Sequence, residues 1–320
     1  MRTSRTLLGI LALASAGICA APAQANDTLK LAVGQRGNWD TIVAQLGQDA
    51  GIFKKHGLDL EILYTQGGGE TLQAVISNSV DIGVAAGTIG VFSAFQKGAP
   101  VRIIGAEATG AADFWYVRSD SKLHSIKDAT PQNTVAYSTN GSSTNSVVLG
   151  FAKAYGIKPK FVATGSPSAT FTQVMTGQVD VGWSAPPFGF DALSKGKIRI
   201  VAKANDLDEI RHESIRTLVA NVNVLEHKQD QLKRFMAAYR ETIDWMYNGD
   251  APLKAFAKFN KTDLATARKV RDEFFPKSLI DPDKMVGLDL LNKDGIAFKA
   301  LSQPLTQQQF DTMIQIPPRQ

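Results

Sequence analysis

The chain has 320 residues, 44% of them hydrophobic and 20% charged, enough to bury a sizeable core and more than one compact domain usually needs. Its 35 basic and 30 acidic side chains leave a formal charge of +5, and no run of Lys or Arg concentrates it, which argues against nucleic acid and membrane surfaces as partners. One Cys leaves no internal disulfide, and the four His are scattered with no pair at metal-ligand spacing.

Residues 1–25 read as a secretory signal peptide. Arg2 and Arg5 make a short basic start, Leu7 to Ala21 is a run of apolar and small residues, and Ala23-Gln24-Ala25 is a small-x-small cleavage site. The run is too short to span a membrane. Ile18 stands before Cys19 where lipoprotein processing needs a small residue, so cleavage is expected after Ala25. Loss of Arg2, Arg5 and Cys19 leaves a cysteine-free chain of charge +3, expected in the periplasm.

Thr28 to Gly34 reads as the first strand and runs into Gln35-Arg36-Gly37-Asn38-Trp39, a polar and aromatic turn of the kind in which function concentrates. Ile42, Val43, Leu46 and Ala50 recur at helical spacing, and Gly51 ends that helix. Leu58 to Tyr64 alternates as a half-buried strand, and Gly67-Gly68-Gly69-Glu70 opens a helix through Asn78. Val80 to Ala85 is a third strand with a helix to Lys97 behind it, and Val101 to Ala106 is a fourth. Strands alternating with helices of about ten to fifteen residues predict a parallel, doubly wound sheet.

After a further strand at Phe114 to Arg118 the pattern restarts. Thr134 to Ser138 is a strand, Ser146 to Tyr155 a helix stopped at Gly156, and Phe161 to Ala163, Val179 to Trp183 and Ile198 to Ala202 are strands. Leu218 to Val222 echoes Phe114 to Arg118, and these two segments are expected to cross between lobes. Beyond Lys228 the chain reads as helical, with Leu232, Phe235, Met236, Tyr239, Ile243 and Met246 on one stripe that is expected to pack back on the first lobe.

Val80-Asp81-Ile82-Gly83-Val84 and Val179-Asp180-Val181-Gly182-Trp183 are one motif written twice. The shift of 99 positions between them also brings Val75 onto Val174, Thr71 onto Thr170 and Thr65 onto Thr164. Upstream, a shift of 105 brings Gly51-Ile52 onto Gly156-Ile157, and downstream a shift of 97 brings Val101-Arg102-Ile103-Ile104 onto Ile198-Arg199-Ile200-Val201. Shifts that change only at loops imply two structurally equivalent lobes whose third-strand ends face each other. The expected division is 26–113 for the first part of lobe 1, 114–220 for lobe 2, and 221–320 for the return to lobe 1 with the C-terminal helices.

Ser138-Thr139-Asn140-Gly141-Ser142-Ser143-Thr144 follows a strand and opens a helix, where free N–H groups, the helix dipole and hydroxyl donors suit an anion. A simple helix cap is the plain reading of those hydroxyls, and the facing turn at Gln35 to Trp39 tips the balance toward a ligand. Trp183 stands where the first copy has Val84, which suggests a ligand wall with Trp39 as partner, against the alternative of a core Trp. Asp81 and Asp180 each precede a buried strand and read as caps rather than a catalytic pair. No nucleophile elbow, dinucleotide fingerprint or phosphate loop is present, so neither catalysis nor a cofactor or metal is expected.

Ala50-Gly51-Ile52-Phe53-Lys54-Lys55-His56-Gly57-Leu58, Gly177-Gln178-Val179-Asp180-Val181-Gly182-Trp183, Pro186-Pro187-Phe188 and Val222-Asn223-Val224-Leu225-Glu226 occur in an order that resembles the solute-binding proteins of nitrate, sulfonate and taurine ABC importers. The resemblance implies two doubly wound α/β lobes joined by two crossing strands, the type II architecture of periplasmic binding proteins. It also implies a monomer that hands a small anionic solute to a membrane permease. Ligand contacts are implied at Gln35, Asn38, Trp39, Gly68, Gly69, Ala86, Thr88, Asn140, Ser142, Ser143, Thr144, Trp183, Ser184 and Pro186. Two other members of the same fold class are weighed against this: a pyrimidine-precursor synthase, which is intracellular and rich in Cys, and ligand-sensing domains of transcription regulators, which carry a DNA-binding helix-turn-helix in place of a leader.

Overall fold

The computed structural model describes residues 26–319; the expected signal peptide and its cleavage after Ala25 lie outside them. Among the described residues ten strands carry the architecture: β1 Asp27–Val33, β2 Leu58–Tyr64, β3 Ile82–Gly87, β4 Val101–Ala106, β5 Phe114–Arg118, β6 Thr134–Tyr137, β7 Lys160–Ala163, β8 Gly182–Ser184, β9 Ile198–Lys203 and β10 Arg216–Asn221. The first sheet has the order β2-β1-β3-β10-β4. The second consists of β8-β5-β9 and β6-β7, joined by a bridge between Val135 and Val181, so its order is β7-β6-β8-β5-β9. Matching β1 with β6, β2 with β7, β3 with β8, β4 with β9 and β10 with β5 makes the two orders the same.

Each sheet is mixed, where an all-parallel one was expected. β10 is antiparallel to β3 and β4, and β5 is antiparallel to β8 and β9. The reason lies in chain entry. β1, β3, β6 and β8 end at the cleft, and a strand that arrives from the other lobe enters there and must run away from it. Both strands expected to cross the cleft are thus fully paired inside a sheet, and the chain passes between lobes in the segments before them, 107–113 and 204–215.

The repeat is written into the hydrogen bonds. Thr65 and Thr71 pair through their hydroxyls at 2.8 Å, and Thr164 and Thr170 do the same at 2.6 Å. Asp81 Oδ2 accepts from Lys30 N–H in β1 at 2.9 Å, and Asp180 Oδ2 accepts from Thr134 N–H in β6 at 2.7 Å. These two carboxylates therefore tie one strand to its neighbour instead of capping the preceding turn. Even a register irregularity recurs, one extra residue in β4 at Ile104 and one in β9 at Val201, as the shift of 97 requires.

Helices cover both faces of the first sheet. On one face the helix Gln229–Met246 lays its stripe, Leu232, Phe235, Met236, Tyr239, Ile243 and Met246, against Leu29, Leu31, Val43, Leu46 and Phe53. On the other, Leu72, Phe92, Val101, Ile103, Phe310 and Met313 form a separate cluster. The second lobe closes around Trp115, Val135, Phe151, Val181 and Trp183.

Candidate functional site

Every parallel strand of both sheets points its C-terminal end at the space between the lobes, where ligands of α/β folds bind. From the first lobe come the turn after β1 and the end of β3. Gln35 Oε1 accepts from Asn38 Nδ2 at 2.5 Å, and Thr41 Oγ1 donates to Gln35 O at 2.8 Å, so the turn is fixed by its own side chains. Asn38 Oδ1 is buried with no partner among the described residues. At the end of β3, Ala85 holds the left-handed conformation with φ +66°, a strained state for a residue with a Cβ. Its N–H is held by Glu107 Oε1. Beyond it, Thr88 Oγ1 donates to Ser214 O at 2.5 Å, which ties this strand end to the second inter-lobe segment.

From the second lobe comes the helix Ser143–Tyr155. Ser142 is its N-cap, accepting from Asn145 N–H at 3.2 Å. Thr144 Oγ1 lies 3.0 Å from Ser142 Oγ and 2.9 Å from Ser138 Oγ, and it accepts from Ser138 N–H at 2.9 Å. Tyr137 Oη donates to Asn140 Oδ1 at 2.5 Å. The hydroxyls that could have met a ligand are thus shared among themselves, which keeps the cap reading alive beside the anion reading.

The lobes touch across the cleft. Gly69 N–H donates to Thr139 Oγ1 at 3.0 Å, and Ser166 N–H donates to Gln66 Oε1 at 3.2 Å. Gly141 O is pressed onto the first lobe, where a Cβ on Gly90 would lie 2.3 Å from it and a Cβ on Gly87 2.5 Å. Only a bare backbone permits that approach. Gly68 packs the same way against Ala85 O, and Ala86 lies buried beside it in β3. At the rim Lys153 Nζ reaches Asp294 Oδ1 at 2.6 Å. Glu213 lies fully buried beside this pair, and burial, with Asp294 and Glu209 adding and Lys153 opposing, pushes its carboxyl up to about 8.

Trp39 and Trp183 are elsewhere, and so is Trp115. Trp39 is fully buried in the first core, 5.0 Å from the Phe256 ring and edge-on to Tyr247, to whose hydroxyl its Nε1 donates at 3.0 Å. Trp115 stands edge-on to Phe151 at 5.0 Å, with Nε1 donating to Ala136 O at 2.8 Å. Trp183 is fully buried in the second core, though its Nε1 has no partner among the described residues. The wall expected of Trp39 and Trp183 is corrected by strand position: β8 runs Gly182–Ser184, so Trp183 lies inside a strand, paired with Trp115. Ser184 Oγ donates to Phe188 O at 3.1 Å and shapes the turn through Pro186 and the cis Pro186-Pro187 bond.

A buried charge cluster that no local pattern in the sequence announced sits beside Gln35. Arg216 Nη2 donates to Asp113 Oδ2 at 2.9 Å, Nη1 to Gln35 Oε1 at 2.9 Å, and Nε is 3.4 Å from Asp40 Oδ2. Burial raises Asp40, which Arg216 partly offsets, and burial together with Asp40 raises Glu107 well above the carboxylate range. Burial opposes the charge on Arg216, but Asp113, Asp40 and Glu107 outweigh it. The cluster is therefore an Arg216–Asp113 ion pair beside carboxyls that resist ionisation. It joins the first inter-lobe segment and the start of β10 to the first ligand-facing turn. The one sequence signal was charge out of place: Glu107, Asp113 and Arg216 each border an apolar strand. Among the described residues no group of three His, Cys, Asp or Glu is placed to hold a metal.

Residues 39–251 match the family model described as NMT1/THI5 like. Among solved structures, the chain is similar to the periplasmic aliphatic sulphonate binding protein SsuA from Escherichia coli, at 18% identity and a TM-score of 0.64 over 92% of this chain and 93% of that one. It is similar to the alkanesulfonate-binding protein SsuA from Xanthomonas axonopodis pv. citri bound to MOPS, at 17% identity and a TM-score of 0.68 over 85% and 90%. It is also similar to the periplasmic nitrate-binding protein NrtA from Synechocystis PCC 6803, at 13% identity and a TM-score of 0.68 over 90% and 85%. At these identities the likeness shows the periplasmic binding protein fold. No curated protein sequence matches.

Proposed function

The chain belongs to the NMT1/THI5-like family, and on that premise we propose that it is the solute-binding component of an ABC importer, a non-enzymatic periplasmic monomer that captures a small organic anion between its lobes and delivers it to a membrane permease. The observation that carries this reading is the cleft itself. Two lobes of one topology meet strand end to strand end, through glycines that let backbone touch backbone. A site divided between two lobes is filled by closure and emptied by opening, which suits delivery.

Gln35, Asn38, Gly68, Gly69, Ala86 and Thr88 supply the first wall, and Asn140, Ser142, Ser143, Thr144, Ser184 and Pro186 the second. The helix beginning at Ser143 brings its positive end to the second wall, which favours a carboxylate or a taurine- or sulfonate-like group. Proteins of this fold that bind sulphonates and nitrate support the same class.

Titration calorimetry with ethanesulfonate, taurine and nitrate, combined with small-angle scattering, tests the reading. Micromolar binding of one of them with a smaller radius of gyration at saturation is the expected result. Binding without compaction would count against closure, and a bound compound that changes mass on incubation would point to the synthase-like alternative.

A further inference from the structure

A groove of about 970 Å³ lies at the mouth of the cleft, with one wall from Pro187–Ser194 of the second lobe and the other from residues 260–274, inside the range typical of small-molecule sites. Three phenylalanines, Phe188, Phe190 and Phe274, join Leu193 and Ile200 in its apolar lining. Phe190 and Phe274 meet across the gap with ring centroids 5.6 Å apart, and Phe188 stands half-exposed between them and the cleft. The groove opens onto the first ligand-facing turn, since a Cβ on Gly37 would touch both Phe188 and Asn260.

Its charge is one-sided. Asp191 is bound to Lys195 at 2.7 Å, and Asp263 is occupied as a helix cap by Thr266 N–H at 2.6 Å. The cations are freer. Lys269 Nζ lies 5.8 Å from the Phe190 ring centroid with Glu273 at 4.0 Å, Arg36 stacks on Phe259 at 4.5 Å, and Lys261 is exposed. Neither Arg36 nor Lys261 has an ion-pair partner among the described residues. Aromatic faces rimmed by uncommitted cations match an occupant with a ring and a negative group.

We propose that this groove seats the ring of an aromatic anion, so that the protein prefers aryl sulfonates or aryl carboxylates to small aliphatic ones. The inference rests on the reading of the protein as an anion-binding protein and adds the shape of the solute. Because the two walls belong to different lobes, the ring is gripped only when the lobes meet.

The test compares 2-naphthalenesulfonate with ethanesulfonate by calorimetry at low salt, in the full-length mature chain and in Phe188→Ala, Phe274→Ala and Lys261→Gln, each checked for folding by circular dichroism. The expected result is at least tenfold tighter binding of the naphthyl compound. Either Phe variant should lose most of that preference and keep its ethanesulfonate affinity, while Lys261→Gln weakens the naphthyl compound a few-fold. Ethanesulfonate binding with no preference for the ring, or a preference untouched in all three folded variants, would overturn the groove and leave the anion reading standing. Binding of neither compound would overturn both.

Discussion

Cutting Trp183 to Ala is expected to cost about 3 to 5 kcal/mol of stability, because the ring is fully buried in the second core; urea denaturation measures this, and a loss of affinity with unchanged stability would return Trp183 to the cleft. An aromatic near a strand end looks the same in sequence whether it points inward or outward, and one position decides the matter. That is why Trp39 and Trp183 could be read as a ligand wall and prove to be buried core residues. Arg216 could be seen as a charge out of place but not paired, for another reason: its partners Gln35, Asp40 and Asp113 are far away in the chain. Arg216→Met should cost roughly 3 to 5 kcal/mol in the same assay, since it leaves Asp113 buried without its cation. Glu213 supplies a test by pH. Its folded pKa of about 8 lies above its ordinary value of 4.5, so the folded state binds the proton more tightly and stability falls as pH rises from about 4.5 to 8. Melting temperature should decline over that window in the parent, and Glu213→Gln should flatten part of the decline.

At the scale of elements the repeat was the most legible feature, because it fixes hydrogen bonds as well as strands. Thr71 and Thr170 do the same work in their two lobes, so Thr71→Val and Thr170→Val should each cost about 1 kcal/mol. The double variant should show the sum, as independent sites do, and a marked departure in equilibrium unfolding would mean that the lobes are coupled through these turns. Strand positions were readable from hydrophobic alternation to within about three residues, β8 starting three residues later than expected, and β2, β4 and β5 fall where they were expected. The direction of β5 and β10 was not readable, since alternation carries no polarity. Which way a strand runs depends on where the chain enters the sheet, a property of the whole path.

For the molecule as a whole, the contact of Gly90 with Gly141 O separates stability from closure. Gly90 lies inside the helix Thr88–Gln96, so Gly90→Ala should gain up to about 1 kcal/mol of helix stability while its methyl holds the lobes apart. Scattering should show no compaction with ligand, and calorimetry at least a tenfold loss of affinity. Lys153→Ala removes the rim ion pair instead and should weaken affinity about fivefold, the equivalent of roughly 1 kcal/mol in the closing equilibrium. The position of β10 has a consequence in time as well. It separates β3 from β4 in space, yet it is the last strand to be made. A chain emerging from its N-terminus presents β4 with a missing neighbour while the entire second lobe is still being synthesised, so a fragment of residues 26–113 should remain without stable structure by circular dichroism. The first lobe can be finished only by a segment more than a hundred residues downstream, a long-range pairing that forms slowly. A first lobe built in this way stays threadable until the chain has been released as far as Asn221, which is the condition a chain must meet to pass through a narrow pore before it folds.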